Sequence, residues 1–350
     1  MAYKRFITVI LICAALLLMI IAGLSFSGCS RDETAVEAKE KSEEDKIQIG
    51  LSIDSLLIER WSRERDIFVS KAQDMGAEVN IQNANGEIEE QIKQIQYFID
   101  KNVDVIVVIA IDDLALTDIL TKAKKQGIKI IAYDRLIRNV NTDLYISIDN
   151  EMVGELMAQA IIDKIGKSGT IIQIKGSPTD YNVYMVQQGF EKILSLTQIK
   201  VDYEEYSDNW LSENGFKVTD GYLAKGKTPD AIMCGNDDLA TYAIRALLEH
   251  RLAGKVCVVG QDANLEACQR IVEGTQYMTV YKPVEKLAVE AAKAAVDLAN
   301  GVPLNLKETM NDGIYEVPYK ALEPIAVTKD NIDDVITGKY HQKSEIYINM

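Results

Sequence analysis

From residue 46 onward the chain alternates short apolar runs with longer amphipathic segments. Apolar runs over 46–52, 78–82 and 103–111 predict strands, and apolar positions at helical spacing predict helices over 59–75 and 114–126. The third run is apolar throughout, which is typical of a strand that is covered on both faces. Such alternation predicts parallel sheets built from βαβ units.

A second series of the same kind begins near Met152. Helices are predicted from that residue and over 184–196, and strands over 169–175 and 199–206. The chain has 350 residues, and single hydrophobic cores tend to divide beyond about 250 to 300 residues. The predicted fold class is therefore α/β, with two Rossmann-like lobes whose parallel sheets are flanked by helices.

Four predicted strands end directly on polar clusters. The clusters are Asp134-Arg135, Asn236-Asp237, Gln261-Asp262 and Lys282, which follow the runs 128–133, 231–235, 256–260 and 278–281. Open parallel sheets bind ligands beyond the carboxyl ends of their strands, so the clusters are expected to converge on one cleft. Asn236 and Asp262 also precede predicted helices, where capping is the alternative role. We assign Asn236 to the ligand and Asp237 or Asp238 to the cap.

The amino-acid composition excludes several classes of function. The chain carries 53 acidic and 38 basic side chains, a net charge of −15, which argues against nucleic acid as a partner. With only two histidines, neither a histidine triad nor a histidine-rich metal site can form. No phosphate-binding or dinucleotide motif is present. We therefore predict a binding protein without enzymatic activity, metal or cofactor.

A glycoside hydrolase is the one enzyme class for which the chain has candidate catalytic residues, because its carboxylates could serve as an acid and a base. It would need two carboxylates, one of them protonated. Asp134 and Asp262 are the candidates, but Arg135 and Lys282 beside them would favour the charged form and disable a general acid.

The N-terminus resembles an export signal. Lys4 and Arg5 precede an uncharged, almost wholly apolar stretch over 6–24, and Ser27-Gly28-Cys29 resembles a lipoprotein processing site. Residues 1–28 are therefore a signal peptide, with lipidation at Cys29, or an uncleaved membrane anchor, since the apolar stretch approaches the length of a membrane span. Residues 29–45 are a charged tether. Both alternatives place the folded part at the extracytoplasmic face of the membrane.

Three cysteines remain beyond the processing site. Cys234 and Cys257 lie within apolar strand-like runs, which indicates buried thiols together with Cys268, although a bridge between Cys257 and Cys268 stays open.

Six segments, in chain order, carry a family resemblance. They are 47–54 (IQIGLSID), 58–61 (IERW), 132–135 (AYDR), 148–151 (IDNE), 260–263 (GQDA) and 279–283 (TVYKP). Together they resemble the periplasmic sugar-binding proteins of ABC importers, most closely the D-xylose-binding branch. The resemblance implies a type I periplasmic-binding fold whose chain crosses between lobes near Asn150, Lys282 and Gly313, forming a three-segment hinge. It implies an N-terminal lobe of 46–149 plus 285–313 and a C-terminal lobe of 150–284 plus 314–350.

The resemblance also implies the ligand and its contacts. The positions that match the sugar contacts of the family are Arg60, Trp61, Asp134, Arg135, Asn182, Trp210, Asn236, Asp262 and Lys282. Arg, Asp and Asn suit the hydroxyls of a sugar, and the two tryptophans suit its apolar faces or, alternatively, serve packing alone. The expected ligand is D-xylose or a closely related aldose. The expected partner is an ABC permease or, alternatively, the extracellular domain of a sensor histidine kinase.

Overall fold

The computed structural model describes residues 46–56 and 58–348. The predicted signal or anchor, the lipidation site at Cys29 and the tether lie outside these residues. Within the described part of the chain, no helix combines the length and the apolar character that crossing a bilayer requires.

The first sheet has seven strands. Its strands in chain order are β1 (Ile47–Ile53), β2 (Ala77–Asn83), β3 (Val105–Val108), β4 (Lys129–Tyr133), β5 (Leu144–Ile148), β11 (Thr309–Asn311) and β12 (Glu316–Leu322). Their spatial order is β11-β12-β5-β4-β3-β1-β2. The flanking helices are α1 (Glu59–Asp74), α2 (Ile88–Asp100), α3 (Thr117–Lys125) and α9 (Val284–Ala299). Strand β3 is buried along its whole length, as its unbroken apolar sequence predicts.

The second sheet has six strands. They are β6 (Ser168–Lys175), β7 (Gln198–Tyr206), β8 (Ala231–Cys234), β9 (Cys257–Gln261), β10 (Met278–Tyr281) and β13 (Ile325–Thr328), in the spatial order β13-β10-β9-β8-β6-β7. The helices are α4 (Asn150–Ile165), α5 (Tyr181–Leu194), α6 (Glu213–Leu223), α7 (Asp237–Glu249), α8 (Leu265–Glu273), α10 (Ile332–Val335) and α11 (Lys343–Ile346). The two α/β bodies confirm the predicted fold class.

The third crossing between the sheets corrects the predicted one. Strand β12 pairs in parallel with β5 of the first sheet, and β13 pairs antiparallel with β10 of the second. The chain therefore changes sheets between Leu322 and Ile325, not near Gly313. The physical reason is that β12 completes the first sheet beside β5 and buries Val317 and Leu322 there.

Strand β5 was absent from the predicted elements. Its five residues, Leu-Tyr-Ile-Ser-Ile, are all buried, and Asp149 directly after it caps α4 by accepting a hydrogen bond from the Met152 amide (2.9 Å). The apolar run 144–148 was the available signal, interrupted only by Ser147. The three predicted core cysteines are buried and unbridged.

Candidate functional site

All nine residues predicted to contact a ligand line one cavity between the two sheets. The space amounts to about 520 Å³, including its opening to solvent. The first lobe contributes Arg60 and Trp61 from the start of α1, and Asp134 and Arg135 from the end of β4. The second lobe contributes the remaining five, Asn182, Trp210, Asn236, Asp262 and Lys282. The predicted convergence of distant strand ends is therefore what the structure shows.

Arg60 is the centre of the first ion-pair network. Its guanidinium donates to Asp134 Oδ2 (2.6 Å) and to Glu64 Oε1 (2.8 Å), and its Nε lies 3.7 Å from Asp262 Oδ1. Lys282 Nζ lies 2.9 Å from the same Asp262 oxygen. Because α1 belongs to one lobe and Asp262 to the other, the network joins the lobes across the cleft.

This network holds more carboxylates than cations. Burial alone would raise the pKa of Asp134, but the charges of Arg60, Lys282 and Arg135 outweigh burial and hold that pKa below its usual value. Glu64 accepts a hydrogen bond from the same guanidinium, but burial raises its pKa to about 8 against the attraction of Arg60, and the nearby charge of Asp134 adds to the rise. The Tyr133 hydroxyl also hydrogen-bonds Glu64. Glu64, which the sequence analysis did not select, therefore takes up the surplus proton of the network.

The raised pKa of Glu64 predicts a pH-dependent stability. A carboxyl whose folded pKa lies above its unfolded value stabilises the fold at low pH, and that contribution is lost as pH rises from about 4.5 to about 8. The loss is on the order of 1.4 kcal/mol per pH unit at most. Denaturation at pH 5, 6.5 and 8 is expected to show a shallower decline for Glu64→Gln than for wild type.

Glu89 on the exposed face of α2 offers a matched control. Glu89→Gln is expected to follow the wild-type pH profile. A Glu64→Gln profile as steep as that of wild type would contradict the assignment of the proton to Glu64.

Arg135 forms a second ion-pair network at the cavity wall. It donates to Asp54 Oδ2 (2.7 Å) and to the Ala110 carbonyl (2.7 Å), and its Nε pairs with Asp180 Oδ2 (2.8 Å). Asp180 also caps α5 through the Asn182 amide. Burial raises the pKa of Asp180 despite the charge of Arg135. Sequence analysis missed Asp180, because a single Asp before a helix is more simply explained as a cap.

The amide of Asn182 links the two lobes. Its Nδ2 donates to the Asp134 carbonyl and to Asp134 Oδ1, both at 3.1 Å, and its Oδ1 accepts from the Tyr145 hydroxyl (3.3 Å). Asn182 therefore contacts Asp134, the residue that follows β4. Its position in a predicted loop gave no indication of this contact.

Asn236 caps α7 in the structure. Its Oδ1 accepts a hydrogen bond from the Leu239 amide (2.9 Å), whereas the prediction gave the cap to Asp237 or Asp238. Asp237 instead accepts bonds from Thr279, Gln276 and the Asn264 amide. Asn236 directly precedes α7, so its side chain reaches the amide of Leu239, the third residue of that helix. The Nδ2 of Asn236 has no hydrogen-bond partner in the described part of the chain and remains a donor at the cavity wall.

The two tryptophans have different surroundings. Trp61 is buried in the first turn of α1, and the Arg60 guanidinium lies 3.9 Å from the centre of its ring. Trp210 follows β7, and its ring rests on Gly176, where a β-carbon would lie 2.1 Å from Cη2. Among the described residues, neither indole Nε1 has a hydrogen-bond partner although both atoms are buried. The tryptophans therefore offer apolar faces and two unused donors.

Backbone geometry orients two of the carboxylates. Asp134 and Asp262, each directly after its strand, have φ values of 63° and 101°. Left-handed backbone is uncommon for residues other than glycine and is concentrated at functional sites. In this fold it turns each side chain from the strand end into the cleft.

The charge of the cleft favours a neutral, hydroxylated ligand. Four cations line it, namely Arg60, Arg135, Lys175 and Lys282. Three carboxylates line it, Asp134, Asp180 and Asp262, with Asp54 and Glu64 directly behind. Since cations and carboxylates already balance each other closely, an ionic ligand would leave a buried charge uncompensated. Hydroxyl groups, which both donate and accept, can bond both sets.

Comparison with known proteins agrees with this geometry. A family model described as a periplasmic binding protein domain matches residues 49–303. The D-xylose-binding periplasmic proteins of Haemophilus influenzae and Escherichia coli are each 44% identical to the chain over 307 residues, covering 86% of it and 92% and 93% of their own lengths. A solved ABC transporter solute-binding protein from Clostridium phytofermentans, with bound β-D-glucose, superimposes with a TM-score of 0.79 at 24% identity, over 85% of this chain and 99% of its own. The structural match concerns the fold alone.

Proposed function

The chain belongs to the periplasmic binding protein family, among sugar-binding members close to the D-xylose-binding proteins, and from this premise we propose that it binds D-xylose or a closely related aldose. Members of the family are solute-binding proteins, so the chain is not an enzyme, as predicted. Its relatives support a place outside the cytoplasm and a role as the sugar-binding component of an ABC importer.

The observation that carries the proposal is the composition of the cavity that all nine predicted residues line. Arg60, Asp134, Asp262 and Lys282 meet within hydrogen-bonding or ion-pair distance although they come from four separate segments, the first turn of α1 and the residues that follow β4, β9 and β10. Two tryptophans border the same cavity. A pyranose needs both kinds of group, since its rim of hydroxyls alternately donates and accepts while its ring faces are relatively apolar.

Binding is proposed to act by closing the lobes. Contacts between Asn182 and Asp134, between Arg135 and Asp180, and between Arg60 and Asp262 already join the two sheets across the cleft. A sugar that bonds residues of both lobes binds the closed form better than the open one. A nearly complete shift between the two forms takes about 5.5 kcal/mol of differential binding.

Titration of residues 46–350 with a panel of aldoses tests this function. D-Xylose is expected to bind most tightly, and D-glucose at least about tenfold more weakly, because its additional hydroxymethyl group must displace buried side chains of the closed cleft. Equal affinity for the two sugars would overturn the pentose specificity. Absence of binding to every aldose would overturn the proposed function.

We further propose that an ABC permease receives the sugar and that the chain is held at the membrane through a lipid on Cys29 or through its uncleaved N-terminal apolar segment. A sensor histidine kinase is the alternative partner, because closure would report the sugar equally well. Co-purification from membranes in the presence of D-xylose, with permease and kinase identified separately, decides between them.

A further inference from the structure

Two consecutive residues of the cleft have left-handed backbone. Asp262 and Ala263 have φ values of 101° and 53°. Neither is glycine, so the surrounding structure must hold this conformation. On one side the sheet does so, because the Asp262 amide donates to the Val280 carbonyl (2.9 Å) and the Ala263 amide donates to Thr279 Oγ1 (3.1 Å).

The other side of this turn is held by the C-terminal segment, residues 332–346. His341 Nε2 lies 2.8 Å from the Ala263 carbonyl oxygen, 78 positions away in the sequence. Because a carbonyl only accepts, Nε2 must carry the hydrogen. The ring is 5% exposed and packs edge-on against Tyr340, with ring centres 4.5 Å apart. The bond is therefore shielded from competing water.

The same segment contacts the helix that carries Arg60. Arg63 on α1 donates to the Tyr340 carbonyl (2.8 Å), and its guanidinium lies 4.2 Å from the centre of the Tyr340 ring. Arg63 also pairs with Glu285 (3.0 Å), shortly after Lys282. The C-terminal segment thus contacts both the turn that carries Asp262 and the helix α1 that carries Arg60. The side chains of Asp262 and Arg60 face each other across the cleft.

We propose that His341 is a positioning residue for the sugar site. Its Nε2–H group fixes the Ala263 carbonyl and thereby the left-handed turn that directs the Asp262 carboxylate into the cleft. This inference rests on the proposed function, since it concerns affinity for the aldose. His341 itself does not line the cavity and acts only through Asp262.

Calorimetric titration of the full-length protein with D-xylose tests the role, using His341→Ala alone and combined with Asp262→Asn. His341→Ala is expected to weaken binding about tenfold. In the Asp262→Asn background the same change is expected to cost less than about twofold, because the carboxylate that it positions is already gone. A general loss of structure would weaken binding equally in both backgrounds.

Two further variants keep the test decisive if His341→Ala does not fold. Glutamine can place its amide nitrogen close to the position of Nε2, whereas asparagine is too short. His341→Gln is therefore expected to bind D-xylose within about threefold of wild type, and His341→Asn to lose most of the affinity. Equal binding by these two variants, or an equal loss in the two Asp262 backgrounds, would overturn the positioning role. A wild-type protein that binds no aldose would refute the proposed function instead.

Discussion

Replacing Asp134 by asparagine is expected to weaken D-xylose binding at least about thirtyfold, or about 2 kcal/mol. In the structure Asp134 accepts from Arg60 (2.6 Å) and from Asn182 (3.1 Å), one residue from each lobe. Its depressed pKa keeps it a carboxylate at neutral pH. Asparagine keeps the shape but removes the charge and one acceptor, so a sugar hydroxyl and the Arg60 guanidinium compete for the oxygen that remains.

The fold should tolerate this change, because Glu64 still pairs with Arg60 at 2.8 Å. Calorimetry measures the affinity, and circular dichroism checks that the variant is folded. Asp118→Asn, on the exposed face of α3, is the matched control and should bind like wild type. Unchanged affinity in a folded Asp134→Asn variant would remove Asp134 from the site.

Gly189→Ala is expected to lower the free energy of unfolding by about 3 kcal/mol. Helices α4 and α5 cross closely at two glycines. A β-carbon on Gly189 would lie 1.8 Å from the Glu151 carbonyl oxygen, and one on Gly154 would lie 1.9 Å from the Val186 carbonyl oxygen. The obstacles are backbone atoms, which no rotamer change can move, so the helices must separate.

Gly221→Ala is the control for this prediction. Gly221 lies in α6, and a β-carbon there would meet no heavy atom within 4 Å in the described structure other than those of its own helix turn. That substitution is expected to leave stability unchanged or to raise it by about 0.5–1 kcal/mol, since alanine favours a helix. Thermal melts of the two variants measure the contrast, and similar melting temperatures for both would contradict the close crossing of α4 and α5.

Residues that directly follow strong strands could be predicted from the sequence. Asp134, Asp262 and Lys282 each follow an apolar run, and the topology of parallel sheets then dictates their convergence. Arg135 and Asn236 belong to the same strand-end clusters. The family resemblance supplied Arg60, Trp61, Asn182 and Trp210, and the last two lie where the local sequence signals only a loop.

Other features lacked a local signal because they arise from contacts between distant segments. Glu64 is one of several charged residues along α1, and only its burial beside Arg60 distinguishes it. The cap of α7 had three adjacent candidates, and backbone geometry selected Asn236. The last crossing was misplaced because the pairing of β12 with β5 joins segments more than 160 positions apart. His341 has no motif around it in the sequence, and its role depends on a bond to Ala263, 78 positions away.

A crystal structure of residues 46–350 with D-xylose tests the central claim most directly. We predict one pyranose between Trp61 and Trp210, with its hydroxyls within hydrogen-bonding distance of Asp134, Asn236, Asp262 and Lys282. A sugar bound elsewhere on the molecule, or a cleft that excludes D-xylose at saturating concentration, would contradict the account.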